Sequence, residues 1–250
     1  MMLLSLLLAL LLLPGQEKHI GLPEAVGEKQ VYKVRLQYGV VKTKMAVATI
    51  TLENAQWEGK PVYYSHFQVK AVNLLRFRMK EEYNVDLYLN PQDMSTLHYE
   101  WPFLLKGNQC RTEFTFSEAD HLIHAYYHYA PSAPYTQDWP LDGHTMDICS
   151  LAFFVRSLEC PVPGEQIPMN LLMGRDEVRA ILEFIGMDDG LIPEQNSFHY
   201  VVHMIDRGLL ENHEGDEVHV WIGDSASRPL LGLRVSLGRY TVQATLLQSR

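Results

Sequence analysis

The chain has 250 residues, 21 basic and 30 acidic, giving a formal net charge of −9 with 47% hydrophobic content. An acidic balance without a basic run weighs against a nucleic-acid partner, and the apolar share suffices for a proper core. Cys110, Cys149 and Cys160 form an odd set without CxxC spacing, which argues against a zinc knuckle or a thioredoxin-like centre. Two readings stay open for them: one disulfide, with Cys149–Cys160 the closest pair, or three buried thiols.

Leu3 to Leu13 are almost all leucine. A helix of that length covers roughly 16 Å of a hydrocarbon core about 30 Å thick, so it is too short to span, and Pro14 and Gly15 break it. The reading is a signal peptide over residues 1–21, cleaved near Gly15 to Gly21, although no Lys or Arg precedes Leu3 and no A-x-A site follows. A retained amphiphilic anchor is the alternative. No cysteine stands near the leader to carry a lipid. The rest, residues 22–250, reads as one exported β-rich domain with no integral membrane span.

Alternation of period two then recurs along the chain. Tyr32, Val34, Leu36, Tyr38 and Val40 oppose Lys33, Arg35 and Gln37. Thr43 to Leu52 continues the pattern, Asn54 to Lys60 with Gly59 is a turn, and Tyr63, Phe67, Val69 and Ala71 follow. Leu75, Phe77 and Met79 make another strand, as do Tyr83, Val85, Leu87 and Leu89, ended by the Asn90-Pro91 turn. Leu97 to Trp101 and Arg111 to Phe116 come next. Ala130 to Thr145 holds Pro131, Pro134 and Pro140 and reads as an ordered loop. Asp147 is a candidate N-cap for a helix of about ten residues. Ile148, Leu151, Ala152 and Val155 line its buried face, Arg156 falls in its last turn, and Pro161 and Pro163 stop it. Strands are expected again at Ile167–Met173 and Val178–Phe184. After a loop over Gly186–Asn196, more are expected at 198–206, 217–222, Leu231–Leu237 and Tyr240–Leu246. The expectation is a mainly β fold: a strongly curved antiparallel sheet or open barrel of about ten strands with one short helix.

Candidate chemistry is sparse. His121, His124 and His128 would share a face on a helix, but their tyrosine-rich company favours a strand, where His124 and His128 share a face and His121 points away. His213-Glu214-Gly215-Asp216-Glu217 with His219 matches neither HExxH nor an EF-hand loop and reads as a charged hairpin turn. Asp188-Asp189-Gly190 reads as a turn rather than a calcium loop. GxSxG, SxxK, GxxxxGK[ST] and GxGxxG are all missing. No catalytic or metal residue is therefore assigned, no cofactor is expected, and the ligand-binding residues are unknown. The compositional oddity is thirteen Tyr and four Trp. In strands these build core and cross-strand pairs; on a concave face they would hold a sugar or an acyl chain.

Several ordered pieces resemble one family. They begin with Glu28-Lys29-Gln30-Val31-Tyr32-Lys33-Val34 with Tyr38-Gly39-Val40, then Tyr83-Asn84-Val85-Asp86-Leu87-Tyr88 ahead of Trp101-Pro102-Phe103. Met146-Asp147-Ile148-Cys149-Ser150-Leu151 runs on to Phe154-Val155-Arg156, and Pro163-Gly164-Glu165 follows. Last comes Val220-Trp221-Ile222 through Asp224 to Arg228-Pro229-Leu230. Over most of residues 28–246 the chain resembles the bacterial exported proteins called domain of unknown function 3108. It departs from them at Lys42-Thr43-Lys44 and Ser225-Ala226-Ser227, where members tend to carry a second Gly and an extra Asp. The resemblance implies an exported all-β protein of the periplasm or cell envelope, curved like envelope lipid or lipoprotein carriers, with no established activity. Arg156, Asp224 and Arg228 match recurrent positions of the family. Physically, Arg156 suits a helix C-terminus and Asp224 a turn, so structural roles are expected for all three. The functional expectation is a non-enzymatic module binding an apolar or glycan ligand, or a partner chain, on the concave face. The alternatives are a hydrolase of an envelope polymer and an assembly module.

Overall fold

The computed structural model describes residues 19–72, 83–105, 107–159, 162–188, 195–205, 217–237 and 240–249. The leader, the strand expected at Leu75–Met79, and Cys160 lie outside them. So do Asp189-Gly190 and the charged turn at 213–216.

Among the described residues fifteen strands make one sheet, more than the ten expected. The first eight are β1 (Lys29–Tyr38), β2 (Val41–Trp57), β3 (Lys60–Ala71), β4 (Tyr83–Leu89), β5 (Thr96–Leu105), β6 (Asn108–Ser117), β7 (Leu122–Tyr129) and β8 (Tyr135–Pro140). Then come β9 (Thr145–Asp147), helix α1 (Leu151–Ser157), β10 (Gln166–Met173), β11 (Asp176–Asp188), β12 (Ser197–Met204), β13 (Glu217–Gly223), β14 (Leu230–Leu237) and β15 (Tyr240–Ser249). Spatial order runs from β8 down to β1, then from β15 down to β9. Neighbours are antiparallel except β9 and β10, which run parallel. The first strand thus pairs with the last, Val34 opposite Ala244, in the middle of the sheet.

The edge strands β8 and β9 are joined by residues 141–144 alone. Five peptide steps reach at most roughly 18 Å, so the sheet must curl until its edges approach. Arg175, between β10 and β11, closes the same gap on its other side, its guanidinium 3.9 Å from the centroid of Tyr129 on β7. One face of every long strand therefore looks inward, which is why alternation is so regular. Tyr32, Ile50, Leu87, Phe114, Tyr127, Leu182, Val202 and Val220 form part of one buried cluster. Strand twist applied over fifteen strands supplies the curl.

Four expectations need correction. β8 lies within the stretch taken for a loop, because Pro140 ends an edge strand, where a missing N–H costs little. β2 runs on to Trp57, and its turn is only Glu58-Gly59, both at positive φ (51° and 77°). β11 extends to Asp188, into the loop expected from Gly186. The helix is shorter than expected and lies inside the curl. It starts at Leu151, and every residue but Ala152 is buried. Asp147 does not cap it directly; from the end of β9 its Oδ1 accepts the N–H groups of Cys149 and Ser150 at 2.8 and 3.0 Å. Cys110 and Cys149 are free thiols, and the pairing considered for Cys149 with Cys160 lies outside the described residues.

Candidate functional site

Helix α1 fills one end of the curl, and the site is built around it. The turn at Asn90–Ser95 is tied by Asn90 N–H to the Ser95 carbonyl and Met94 N–H to the Asn90 carbonyl, both 2.9 Å. Asp93 Oδ1 also accepts the Ser95 N–H at 2.9 Å and its hydroxyl at 2.7 Å. The turn drives Met94, at φ 61°, fully out of solvent. His121 sits at φ 55° in the β6–β7 turn, where its carbonyl accepts the Leu141 N–H. Thr145 donates its hydroxyl to the Asp142 carbonyl at 2.7 Å, fixing the connection between the sheet edges.

Between these pieces lies a cavity of about 510 Å³. Met94, Leu97, Phe116, Leu141, Met146 and Phe154 supply its apolar wall. His19, His121, His144, Asp93 and Glu118 add imidazole and carboxylate groups. His19 and His144 flank Phe154 with ring centroids 5.3 and 5.1 Å away. His19 Nδ1 lies 2.9 Å from the Ser157 hydroxyl, and Ile20 donates to the Ser157 carbonyl at 2.7 Å, which pins the residues before β1 to the helix. Beneath, buried Asp147 accepts the Ser150 hydroxyl in addition to its two backbone donors. Burial holds its carboxyl above the ordinary value, although the Ser150 and Cys149 hydrogen bonds offset part of that rise. Burial, with help from Asp147, holds the neighbouring Cys149 thiol well above its ordinary value. The Ser150 hydroxyl thus donates its hydrogen bond to the sequestered Asp147 carboxyl, and Asp93 is committed to its own turn. These groups shape the site and hold it still.

The helix is locked by a buried ion pair. Arg156 Nη1 donates to Glu28 Oε1 at 2.5 Å, Nε to the Arg228 carbonyl at 2.7 Å and Nη2 to the Ser227 carbonyl at 2.9 Å. Gln30 donates to Glu28 Oε2, and the Tyr32 hydroxyl reaches the Leu230 carbonyl at 2.9 Å. Arg156 is thus structural, through a pair rather than through the helix terminus. Arg228 differs. Its guanidinium lies 4.9 Å from the centroid of Phe198, and its Nε and Nη2 are buried without a hydrogen-bond partner. Ser65 Oγ, Trp101 Nε1 and Tyr200 Oη, on residues of the inward face, are likewise unpaired. Asp224 lies in the β13–β14 turn, its N–H 3.4 Å from the Asn196 carbonyl.

Other sequence candidates fall elsewhere. His124 and His128 share the outer face of β7, and His124 bonds Asp138 at 2.9 Å. His219 and His199 meet at 3.0 Å on the outer face beside Trp221, whose indole donates to Asp188 at 3.0 Å. Among the described residues no group of three or more His, Cys, Asp or Glu converges on a metal position. Aromatic side chains divide between the faces. Tyr99, Trp101 and Phe114 look inward, whereas Trp57, Tyr88 and His98 stack outside. Of the polar residues bounding the cavity, His121 alone is a candidate for chemistry in the sequence; Met94, His121 and His144 come from turns far apart in the chain, and Leu97, Phe116, Met146 and Phe154 from strands and the helix.

Comparison with known proteins bears on the fold. A crystal structure described as a beta-barrel-like protein of domain of unknown function DUF1849, from Brucella abortus, superposes with a TM-score of 0.51 at 10% identity, covering 93% of this chain and 98% of that one. The Mycobacterium tuberculosis lipoprotein LppX gives a TM-score of 0.24 at 11% identity, covering 89% and 86%. No curated protein matches the chain. No helix among the described residues is long and apolar enough to cross a membrane. The family model for proteins of unknown function DUF3108 matches residues 31–243, and the chain belongs to that family.

Proposed function

We propose that this chain is an exported, non-enzymatic binding module of the cell envelope that takes up an amphiphilic small molecule, apolar along most of its length with a polar end. The observation that carries this reading is the cavity of about 510 Å³, with its thioether, aliphatic and aromatic wall and its imidazole and carboxylate groups. That volume falls within the roughly 300–1,000 Å³ of small-molecule sites, and a few polar groups in an apolar wall are what orients such a ligand. Two further features support it. The inner face away from α1 keeps Leu36, Val69, Leu233, Val235 and Val242 only partly covered, and buried inward polar atoms without partners call for something to satisfy them. Export is supported by the leucine run and its Pro14-Gly15 break.

The test is native mass spectrometry of the protein purified from its own envelope, beside the cavity-filling variant Leu141→Trp. A co-purifying small molecule in the wild type, lost from a variant that still folds, is the expected result. A bare protein mass from several independent preparations overturns the reading.

A further inference from the structure

We propose that the β1–β2 hairpin tip docks the protein on an anionic lipid bilayer. At the end of the curl opposite α1, this hairpin and the start of β15 present four large apolar side chains to solvent. Val40 is 99% exposed, Val41 61%, Tyr240 51% and Tyr38 48%. They are one patch: Tyr38 pairs with Val41 on one side and Tyr240 on the other, its ring stacked on Tyr240 with centroids 4.9 Å apart. Gly39 at φ 55° makes the turn that pushes Val40 outward.

Charge identifies the partner. In a chain of net −9, no Asp or Glu occurs from Lys29 to Leu52, from Lys60 to Ala71 or from Leu230 to Ser249. The adjacent strands β3, β2, β1, β15 and β14 are therefore free of carboxylates over nearly their whole span, with Glu53 the first on β2. Lys33, Arg35, Lys42 and Lys44 stand on the outer side of this hairpin, Arg35 opposite Lys44 and Gln37 opposite Lys42. Lys42 and Lys44 follow Val41 by one and three residues, so the basic shaft begins about 3 Å and extends to about 10 Å along the strand from the apolar tip. Interfacial insertion reaches about 5–10 Å below the headgroups. Val40 and Val41 would then reach the acyl boundary, the tyrosine hydroxyls the headgroup level, and the ammonium groups the phosphates. The proposal does not depend on what the cavity binds, although docking by this end would turn the partly covered inner face toward the bilayer.

The experiment is co-flotation of the full protein with vesicles of phosphatidylglycerol and phosphatidylethanolamine, compared with pure phosphatidylcholine. Binding to the anionic vesicles alone, weakening as salt rises, is expected. Each lysine near such a surface is worth about five-fold in partitioning, so Lys42→Glu with Lys44→Glu lowers it by about 25-fold or more. Val40→Ser with Val41→Ser lowers it by about ten-fold. All four side chains are exposed, so the unfolding midpoint stays put in both variants. Val40→Trp gives a direct reading, the emission of the introduced indole shifting blue on anionic vesicles. Equal binding to both vesicle types, no binding to either, or an emission of the Val40→Trp variant that does not move overturns the proposal.

Discussion

Replacing Arg156 by methionine tests how the interior is held together. The pair it forms with Glu28 joins the helix to the segment leading into β1, and its side chains are only 2% and 7% exposed. Removing one member leaves the other charged in a dry setting, which typically costs about 3–5 kcal/mol. Arg156→Met also frees the carbonyls of Ser227 and Arg228. For a chain of this size each kcal/mol shifts the melting temperature by roughly 2–4 °C, so a fall of about 6–20 °C is expected. Glu28→Gln should cost somewhat less, because the amide oxygen can still accept from Nη1. The decisive quantity is the double-mutant cycle from urea unfolding. Once Arg156 is gone, Glu28→Gln relieves a stranded charge, so the two changes together should cost about 2–3 kcal/mol less than their separate effects summed. Additive effects, each under 1 kcal/mol, would refute the view that this pair fastens helix to sheet.

Arg228→Met should behave oppositely: its buried Nε and Nη2 have no hydrogen bond to lose and methionine keeps an apolar contact on Phe198, so urea stability stays within about 1 kcal/mol or rises, and a loss above 2 kcal/mol refutes the assignment. His98 is held at about 4, chiefly by burial and further by Arg111. With a folded value below the ordinary 6.5, its contribution is complete above pH 6.5 and lost as pH falls toward 4, of order 2–3 kcal/mol. His98→Gln should flatten that part of the pH–stability curve, and an unchanged acid limb would show that other groups govern it.

What the sequence makes legible follows from how local each determinant is. The strands at 32–38 and 178–184 are plain from alternation because one face meets the core and the other solvent. β8 is hidden because its residues are nearly all exposed, Trp139 alone being partly covered, so no dry face marks it. The start of the helix is obscured for the opposite reason. Phe153, Phe154, Val155 and Arg156 are all buried, so no wet stripe sets its phase, and half-exposed Ile148 falls before its start. Glu28 and Arg156 are 128 residues apart, and nothing near either one announces the other. The cavity is less visible still, since Met94, His121 and His144 come from three separate turns that meet only when the sheet curls.

The central seam between β1 and β15 has a consequence for the order of assembly. Each flank, β1 to β8 and β10 to β15, is a run of sequence neighbours able to pair as the chain emerges. Their union must wait for the last ten strand residues, because Lys33 meets Thr245 only across more than two hundred positions. Closure at such sequence separation is slow. Truncation before Tyr240 would split the sheet through its middle, leaving β1 and β14 as two raw, sticky margins where the finished molecule has none.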